Sequence, residues 1–580
     1  MSSAIAANPD DKKKTKKPEH PRDMAREGIE TIVFVVVLVL LLKLFVTEAF
    51  VIPTGSMAET LYGYQRVVTC PKCTHEFPVN SHDDVEPNIS TKQLHPLLGY
   101  CCPNCRYKGE VRELNPVPAP QTGDRVLVLK PLYHVADPHR GDVVVFKFPK
   151  EPQQKWSAQN YIKRCMAFGG ETVAIHRGDL YVTRSLEYPA DAKDENGDVL
   201  YPRPKNPDDL WQSKYSYPNH SKSREPVVGK NPLADALFEQ SRAAGFPDTG
   251  AGFTIVRATD DQVLARKRIV WDNDHQPTTG DAAMVVRWAA DNPDPNRWRG
   301  DSPRQTKTFA HSSEELDWLR YKNRVWPWPE DGAKPDPAAI APQLIDNFLG
   351  YNNGSVSRGV NGRLDFPSHA GEGLWVGDLI LECEAEIAGG AEVVLELSKG
   401  ASRFQARFAD GKVTLVRTGD RAGEMATRPT RVKAGGKHKL RFANVDARLR
   451  VWVDGRAIDF GKDADYAPSE PPQPTLPGNG ADNEGWTKEN DLEAPASIGA
   501  KGAVTVRGLK LFRDMYYTRA SSSNHLGADI FYVQPGHYLC LGDNSASSSD
   551  SREWGLVPER LMLGKAVFVF WPRGRIGFIK

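Results

Sequence analysis

The chain has 580 residues, 75 of them lysine or arginine and 74 aspartate or glutamate, for a net charge of +1. That length exceeds what one hydrophobic core sustains, so roughly three to five domains are expected. The near balance of charge leaves no global field for nucleic acid or an acidic substrate, and no nucleic-acid partner is expected.

Residues 1–28 form a polar, basic tail with Lys12, Lys13, Lys14, Lys16, Lys17, Arg22 and Arg26, a composition that disfavours a packed core. Thr31 to Val46 is apolar apart from Lys43. The pattern predicts a transmembrane anchor over 29–52. A helix from about Ile32 to Ile52 would match a hydrocarbon core of about 30 Å. Positive charge ahead of it sets the N-terminus in the cytoplasm. Lys43 and Glu48 would then reach for the interface or for a protein partner. A cleaved secretory signal is the alternative, because the uninterrupted run Ile32 to Leu42 is short and Thr47-Glu48-Ala49 offers a small-residue cut site. Either reading puts residues 53–580 outside the cytoplasm.

Next comes Phe50-Val51-Ile52-Pro53-Thr54-Gly55-Ser56-Met57, which keeps a serine near the bilayer, since an extended chain covers at most about 3.6 Å per residue. Then follow Cys70-Pro71-Lys72-Cys73 and Cys102-Pro103-Asn104-Cys105, separated by 28 residues. Four thiolates so arranged can close a structural zinc site, which gives a zinc-ribbon-like insertion over 67–112. A pair of disulfides stays open in an oxidising compartment. A thiol-redox pair fits less well, because no βαβ pattern surrounds either motif.

Arg125 to Leu129, Val143 to Phe148 and Tyr161 to Met166 read as strands of an antiparallel domain. Lys163 lies in the last of these runs, with Tyr161 and Cys165 on its face. From 185 to 345 the chain is rich in Pro, Asp, Asn and Trp, with weak strand candidates at Phe253 to Arg257 and Val263 to Val270 and no assignable fold. From 346 to 515 short, regularly spaced strands return: Leu379 to Ile387, Glu392 to Leu397, Arg403 to Phe408, Lys412 to Arg417, Lys437 to Phe442, Arg448 to Val453 and Ala503 to Phe512. They predict a β-sandwich. The hairpin cue Asp454-Gly455 follows Arg448 to Val453. This passage resembles the concanavalin-like or laminin-G-like jelly rolls, with Trp452 expected as a core or cross-strand residue ahead of a sugar platform. Lys565 to Trp571 is a strand that would close the antiparallel domain from the far end of the sequence.

The last motif is Gly542-Asp543-Asn544-Ser545-Ala546-Ser547-Ser548-Ser549-Asp550-Ser551-Arg552, followed by Trp554-Gly555-Leu556-Val557-Pro558. The Ser56, Lys163 and Gly542 blocks, in this order behind an anchor, resemble bacterial type I signal peptidase over about 30–66, 121–183 and 526–572. One departure is Glu59 in Ser56-Met57-Ala58-Glu59-Thr60-Leu61, where the family has proline; glutamate leaves φ free. The resemblance implies Ser56 as nucleophile and Lys163 as general base, its amine kept neutral by burial. It implies a hydrogen bond from Ser548 to Lys163, an oxyanion hole from the Ser56 N–H and the Thr54 hydroxyl, and an Asp550–Arg552 ion pair with Asp543 steadying the same loop. Phe50, Ile52, Pro53, Met57, Leu61, Tyr161 and Ile162 would line shallow apolar pockets for small side chains at the −1 and −3 sites of a precursor.

The expected fold is thus mainly β: a transmembrane helix, then an antiparallel catalytic domain in three parts, 53–66, 121–184 and 526–580, interrupted by the ribbon, the unassigned 185–345 stretch and the 346–515 sandwich. The implied activity is signal-peptide cleavage on the extracytoplasmic face of the inner membrane, with no cofactor for catalysis. Implied partners are secretory precursors and the lipid bilayer. The insertions would offer surfaces for the translocation machinery and for a glycan or protein ligand. Two other readings remain: a Ser-Lys peptidase that cuts itself or a regulatory partner, and a surface-binding protein with an inactive core.

Overall fold

The computed structural model describes residues 24–41, 43, 46–87, 92–149, 159–186, 232–247, 252–294, 297–302, 305–329, 335–352, 356–359, 362–366, 373–419, 421–468, 486–519 and 528–580. Helix Met24–Leu41 buries none of its side chains, and its apolar run from Ile32 to Leu41 is exposed. Its 18 residues rise about 27 Å. Among the described residues, no helix is long and apolar enough to cross a membrane.

The helix expected to continue to Ile52 stops short. Thr47–Val51 is instead a strand, paired antiparallel with Arg125–Leu129 so that Thr47 faces Leu129 and Val51 faces Arg125. An open sheet edge offers these β-prone residues the backbone partners that a helix would otherwise supply. Glu48 meets the Lys130 amine at 2.6 Å, a protein partner close at hand.

The strands Thr47–Val51, Arg125–Leu129, Met562–Trp571, Val143–Lys147, Asn160–Phe168, His537–Leu541 and Val557–Pro558 lie side by side in that order. The late strand 562–571 therefore sits between two early ones, so the sheet cannot form until both ends of the chain meet. Val143–Lys147 is buried on both faces, and its period-two alternation feeds two cores. Val143 and Val145 pack with Ile52, Met57, Leu61, Val126 and Val128, while Val144 and Phe146 pack with Cys165, Cys540 and Trp554. A second sheet runs Thr254–Ile255, Asp179–Thr183, Thr172–His176, Asp529–Tyr532.

Two larger sheets, of eight and seven strands, share one apolar core through residues such as Leu379, Leu381 and Phe442 on one side and Val393, Leu395 and Phe404 on the other. The stretch 185–345, without an assignable fold in the sequence, supplies five of their strands. Arg268–Asp272, Trp298–Gly300 and Thr308–His311 join the first sheet, and Trp288–Ala290 and Asp317–Tyr321 join the second. The strand expected over Val263 to Val270 is divided. Asp260–Arg266 is a helix, started by a capping box in which Thr259 and Gln262 bond each other's backbone N–H, and only Arg268–Asp272 is strand. Trp452 is 2% exposed and packs with Val263, Ile380 and Ala443, the burial of a packing residue. Asp454 and Gly455 both have positive φ, as the tight turn before Arg456–Ile458 requires.

Candidate active site

Ser56 lies in a turn between the strand Thr47–Val51 and the first cysteine hairpin, and Lys163 lies mid-strand in Asn160–Phe168. They are 107 positions apart in the chain but their side chains meet: Lys163 Nζ donates to Ser56 Oγ at 2.7 Å. A second bond, 3.0 Å to the Ile162 carbonyl, holds the amine in place. Lys163 is only 3% exposed. Burial lowers its pKa to about 8, and the opposing pull of Asp550, Cys540 and Asp543 does not restore the ordinary lysine value. The amine also lies 5.4 Å from the Tyr161 ring centroid, on the face the alternation predicts.

The Gly542–Arg552 segment wraps this pair. Asp543 is fully buried and takes two bonds from Arg164, at 2.8 and 2.5 Å. Burial alone would raise the Asp543 carboxyl, but Arg164 outweighs it and holds the pKa at about 2. Asp550 accepts from Arg552 Nε at 2.8 Å and Nη2 at 2.6 Å, and from the Gly542 N–H at 2.9 Å. Arg552 also donates to the Ser545 carbonyl and the Thr518 carbonyl, both at 2.7 Å. Both carboxylates thus serve to shape the loop.

Ser548 differs from what the resemblance implies. Its buried hydroxyl has no hydrogen-bond partner among the described residues, because the Lys163 amine is directed to Ser56 and the Ile162 carbonyl. Ser548 instead closes over Gly542: a Cβ at 542 would lie 2.0 Å from Ser548 Oγ and 2.6 Å from the Ser56 carbonyl oxygen. Gly542→Ala should therefore cost about 1–3 kcal/mol of stability and most of the activity, because backbone of the nucleophile turn has to move. Urea melts and precursor assays check this, and wild-type values in both would refute it.

Thr54 and Pro53 are exposed beside Ser56. Phe50, Tyr161 and Ile162 are half-buried, whereas Ile52, Met57 and Leu61 are buried in the apolar core, where they can shape a pocket floor but offer little surface. Tyr161 stacks on Phe148 at 4.5 Å and meets Trp554 edge-on. Arg164, Asn544, Asn352 and Tyr351 are site neighbours that sequence reasoning passed over. Arg164 adjoins Lys163, and Asn544 stands inside the Gly542 block. Asn352 and Tyr351 carry no local signal at all.

The two cysteine motifs form matching turns. The Thr74 N–H bonds the Cys70 carbonyl and the Arg106 N–H the Cys102 carbonyl, both at 2.9 Å, and Thr74 and Arg106 both have positive φ. All eight cysteines are free of disulfides. Cys70 and Cys105 Sγ atoms are 3.6 Å apart, as are those of Cys73 and Cys102, and the four lie within 4.8 Å of one another. Zinc bonds of about 2.3 Å in a tetrahedron require S···S spacings of about 3.8 Å, so this donor set fits a closed zinc site.

A buried amine bonded to a serine hydroxyl, beside a loop tied by two carboxylate–arginine pairs, is the geometry of the serine hydrolases that use lysine as base. Residues 108–229 and 450–571, together less than half of the chain, match the family model described as signal peptidase, peptidase S26. Over those two segments the chain is similar to that family. The matched segments contain Lys163 and the 542–552 loop and do not include Ser56. The chain is 39% identical over 80 residues to a probable signal peptidase I-2 of Synechocystis, covering 14% of this chain and 35% of that one. It is 50% identical over 45 residues to signal peptidase I of Leptolyngbya laminosa, with 8% and 22% covered. It is 39% identical over 57 residues to the mouse mitochondrial inner membrane protease subunit 1, with 9% and 34% covered. The chain thus spans about a third or less of the length of these relatives. Among solved structures, a carbohydrate-binding module, CBM66 from Bacillus subtilis, aligns with 39% of this chain and 96% of its own, at 10% identity. The TM-score of 0.21 is too low to support an argument.

Proposed function

We propose that the chain is a membrane-anchored serine endopeptidase that removes signal peptides from secretory precursors. The observation that carries this reading is the 2.7 Å bond between a buried Lys163 amine and the Ser56 hydroxyl. In its neutral form Lys163 takes the hydroxyl proton as Ser56 Oγ adds to the scissile carbonyl carbon. The resulting oxyanion is met by the Ser56 N–H and the Thr54 hydroxyl. The proton passes to the leaving amine as the C–N bond breaks, leaving an ester on Ser56. Lys163 then takes a proton from water as its oxygen adds to the ester carbon, and gives that proton to Ser56 Oγ as the ester C–O bond breaks, which frees the new carboxyl end and restores both residues. Asp543, Asp550 and Arg552 hold the loop, and Phe50, Ile52, Pro53, Met57, Leu61, Tyr161 and Ile162 shape the subsites.

The exposed apolar run of Met24–Leu41, preceded by the basic tail, supports an anchor in the inner membrane with a cytoplasmic N-terminus and an extracytoplasmic site. The Cys70, Cys73, Cys102, Cys105 set would hold one structural zinc, away from the chemistry. The three-part catalytic domain with its inserted ribbon and sandwich is part of the same proposal, as are the partners of those insertions. The test is mass spectrometry of products from a model secretory precursor in liposomes. Two products divided after a small side chain are expected, and a precursor left whole, or cut elsewhere, would sink the reading.

A further inference from the structure

The nucleophile turn is gripped from behind by residues of the short turn Gly350–Asn352 and by Arg268 of an inserted sheet. Asn544, in the 542–552 loop, donates its backbone N–H to the Ser56 carbonyl and its side-chain amide to the Gly55 carbonyl, both at 3.0 Å. The same amide is locked by Asn352 in a reciprocal pair: Asn544 Nδ2 donates to Asn352 Oδ1 at 2.6 Å, and Asn352 Nδ2 donates to Asn544 Oδ1 at 2.8 Å. Beside it Tyr351 fills the space over Gly55, where a Cβ would lie 2.3 Å from the Tyr351 ring. Tyr351, Leu349, Ala58 and Tyr62 form one small buried cluster.

The turn Gly350–Asn352 packs against the cysteine hairpins, where a Cβ at Gly350 would meet Pro103 and the Cys101 carbonyl, and is tied to the sandwich just ahead of it. Arg513, at the end of the long strand Val504–Arg513, donates to the Phe348 carbonyl at 2.9 Å, and the Asn347 N–H bonds the Leu374 carbonyl at 3.0 Å. Arg268, from another sandwich strand, reaches the Ala58 carbonyl at 3.2 Å. The inserted segment between the two catalytic blocks therefore touches the nucleophile turn through Tyr351 and Asn352 as well as through Arg268.

We infer that Asn352 is a positioning residue for the oxyanion hole, supplied by the inserted turn Gly350–Asn352 and acting through Asn544 on the Gly55–Ser56 peptide. The physical link is the planarity of that peptide. The Gly55 C=O and the Ser56 N–H belong to one rigid unit and point in opposite directions, so fixing the carbonyl aims the N–H at the substrate side. Asn352 holds the Asn544 amide that fixes the carbonyl. This inference rests on the proposed Ser-Lys reading and adds that the inserted turn is part of the catalytic machinery, with a route from its fold to the rate.

An oxyanion donor acts on the transition state more than on the bound substrate, so its misalignment lowers kcat and leaves KM nearly unchanged. In the full-length protein, Asn352→Ala should lower kcat for precursor cleavage about ten- to a hundredfold with KM within about twofold. Asn352→Asp keeps the volume and the bond accepted from Asn544 but sets an oxygen against Asn544 Oδ1 in place of the donor, and should lower kcat as well; it decides the matter if the alanine variant fails to fold. Because Asn352 acts through Asn544, the Asn352→Ala/Asn544→Ala double variant should be no slower than Asn544→Ala alone. Wild-type kcat in both Asn352 variants, a loss confined to KM, or losses that multiply in the double variant would overturn the inference. Ser56→Ala in the same assay separates the two levels: cleavage that survives it overturns the Ser-Lys reading, whereas a silent Ser56→Ala beside a fully active Asn352→Ala overturns only the role of Asn352.

Discussion

Ser56→Ala and Lys163→Ala should each reduce precursor cleavage by about a thousandfold or more, and the double variant should be little worse than either, because nucleophile and base act as a unit. The pH profile of the wild type adds a quantitative mark. The base is the neutral amine, so the rate must rise as pH rises through the Lys163 pKa of about 8. Below that value the neutral fraction, and with it kcat/KM, falls about tenfold per pH unit. A solvated lysine, with a pKa near 10.4, would put the same rise more than about two units higher. Stopped assays from about pH 6 to 10 check this with the protein in liposomes. A flat profile, or a midpoint above about 10, would show that burial does not tune Lys163 as the geometry requires.

The second large effect is expected from metal removal. Elemental analysis of the purified full-length protein should find about one zinc per chain, lost on Cys102→Ser. Apparent binding energies of structural zinc are about 10–16 kcal/mol in isolated peptides, so the two short hairpins 65–80 and 99–110 should not stay folded without it. Activity should fall as well, since the ribbon abuts the nucleophile turn: the Ser81 N–H bonds the Tyr64 carbonyl at 3.0 Å, and His82 Nδ1 lies 3.1 Å from the Pro53 carbonyl. Less than about half an equivalent of zinc, or an unchanged thermal melt in Cys102→Ser, would remove the metal from the account.

The turn Gly350–Asn352 bears on the proposed catalysis as well. Asn352 stands 192 positions before Asn544, yet the two share a reciprocal amide pair against the serine turn. Trimming the chain to its signal-peptidase-like blocks would delete that brace and leave the Tyr351 site over Gly55 open to water.

The sequence alone determined what depends on near neighbours. Short runs rich in valine, isoleucine and aromatics marked Arg125 to Leu129 and Val143 to Phe148, and short, regularly spaced runs marked the strands from Leu379 onward, because branched and aromatic side chains suit a pleated sheet. Paired CxxC motifs marked a four-cysteine cluster, open to zinc or to disulfides, because four sulfurs need little more than two tight turns to converge. The Ser56, Lys163 and Gly542 blocks were legible as short strings of reactive groups. The Thr259-x-x-Gln262 cap was equally local and was passed over in favour of a strand.

Tertiary structure decided what depends on distant partners. Thr47–Val51 became a strand because Arg125–Leu129 left an edge to pair with, and no pattern within 47–51 announces that edge. The five strands between 268 and 321 are only three to five residues long, too short for a strong periodic signal, and strands such as Val504–Arg513 and Ala496–Lys501 pair with three of them and set their register. The depressed amine of Lys163 and the grip of Asn352 on Asn544 likewise exist only once segments hundreds of residues apart exclude water together, since desolvation and hydrogen-bond geometry are properties of the assembled site.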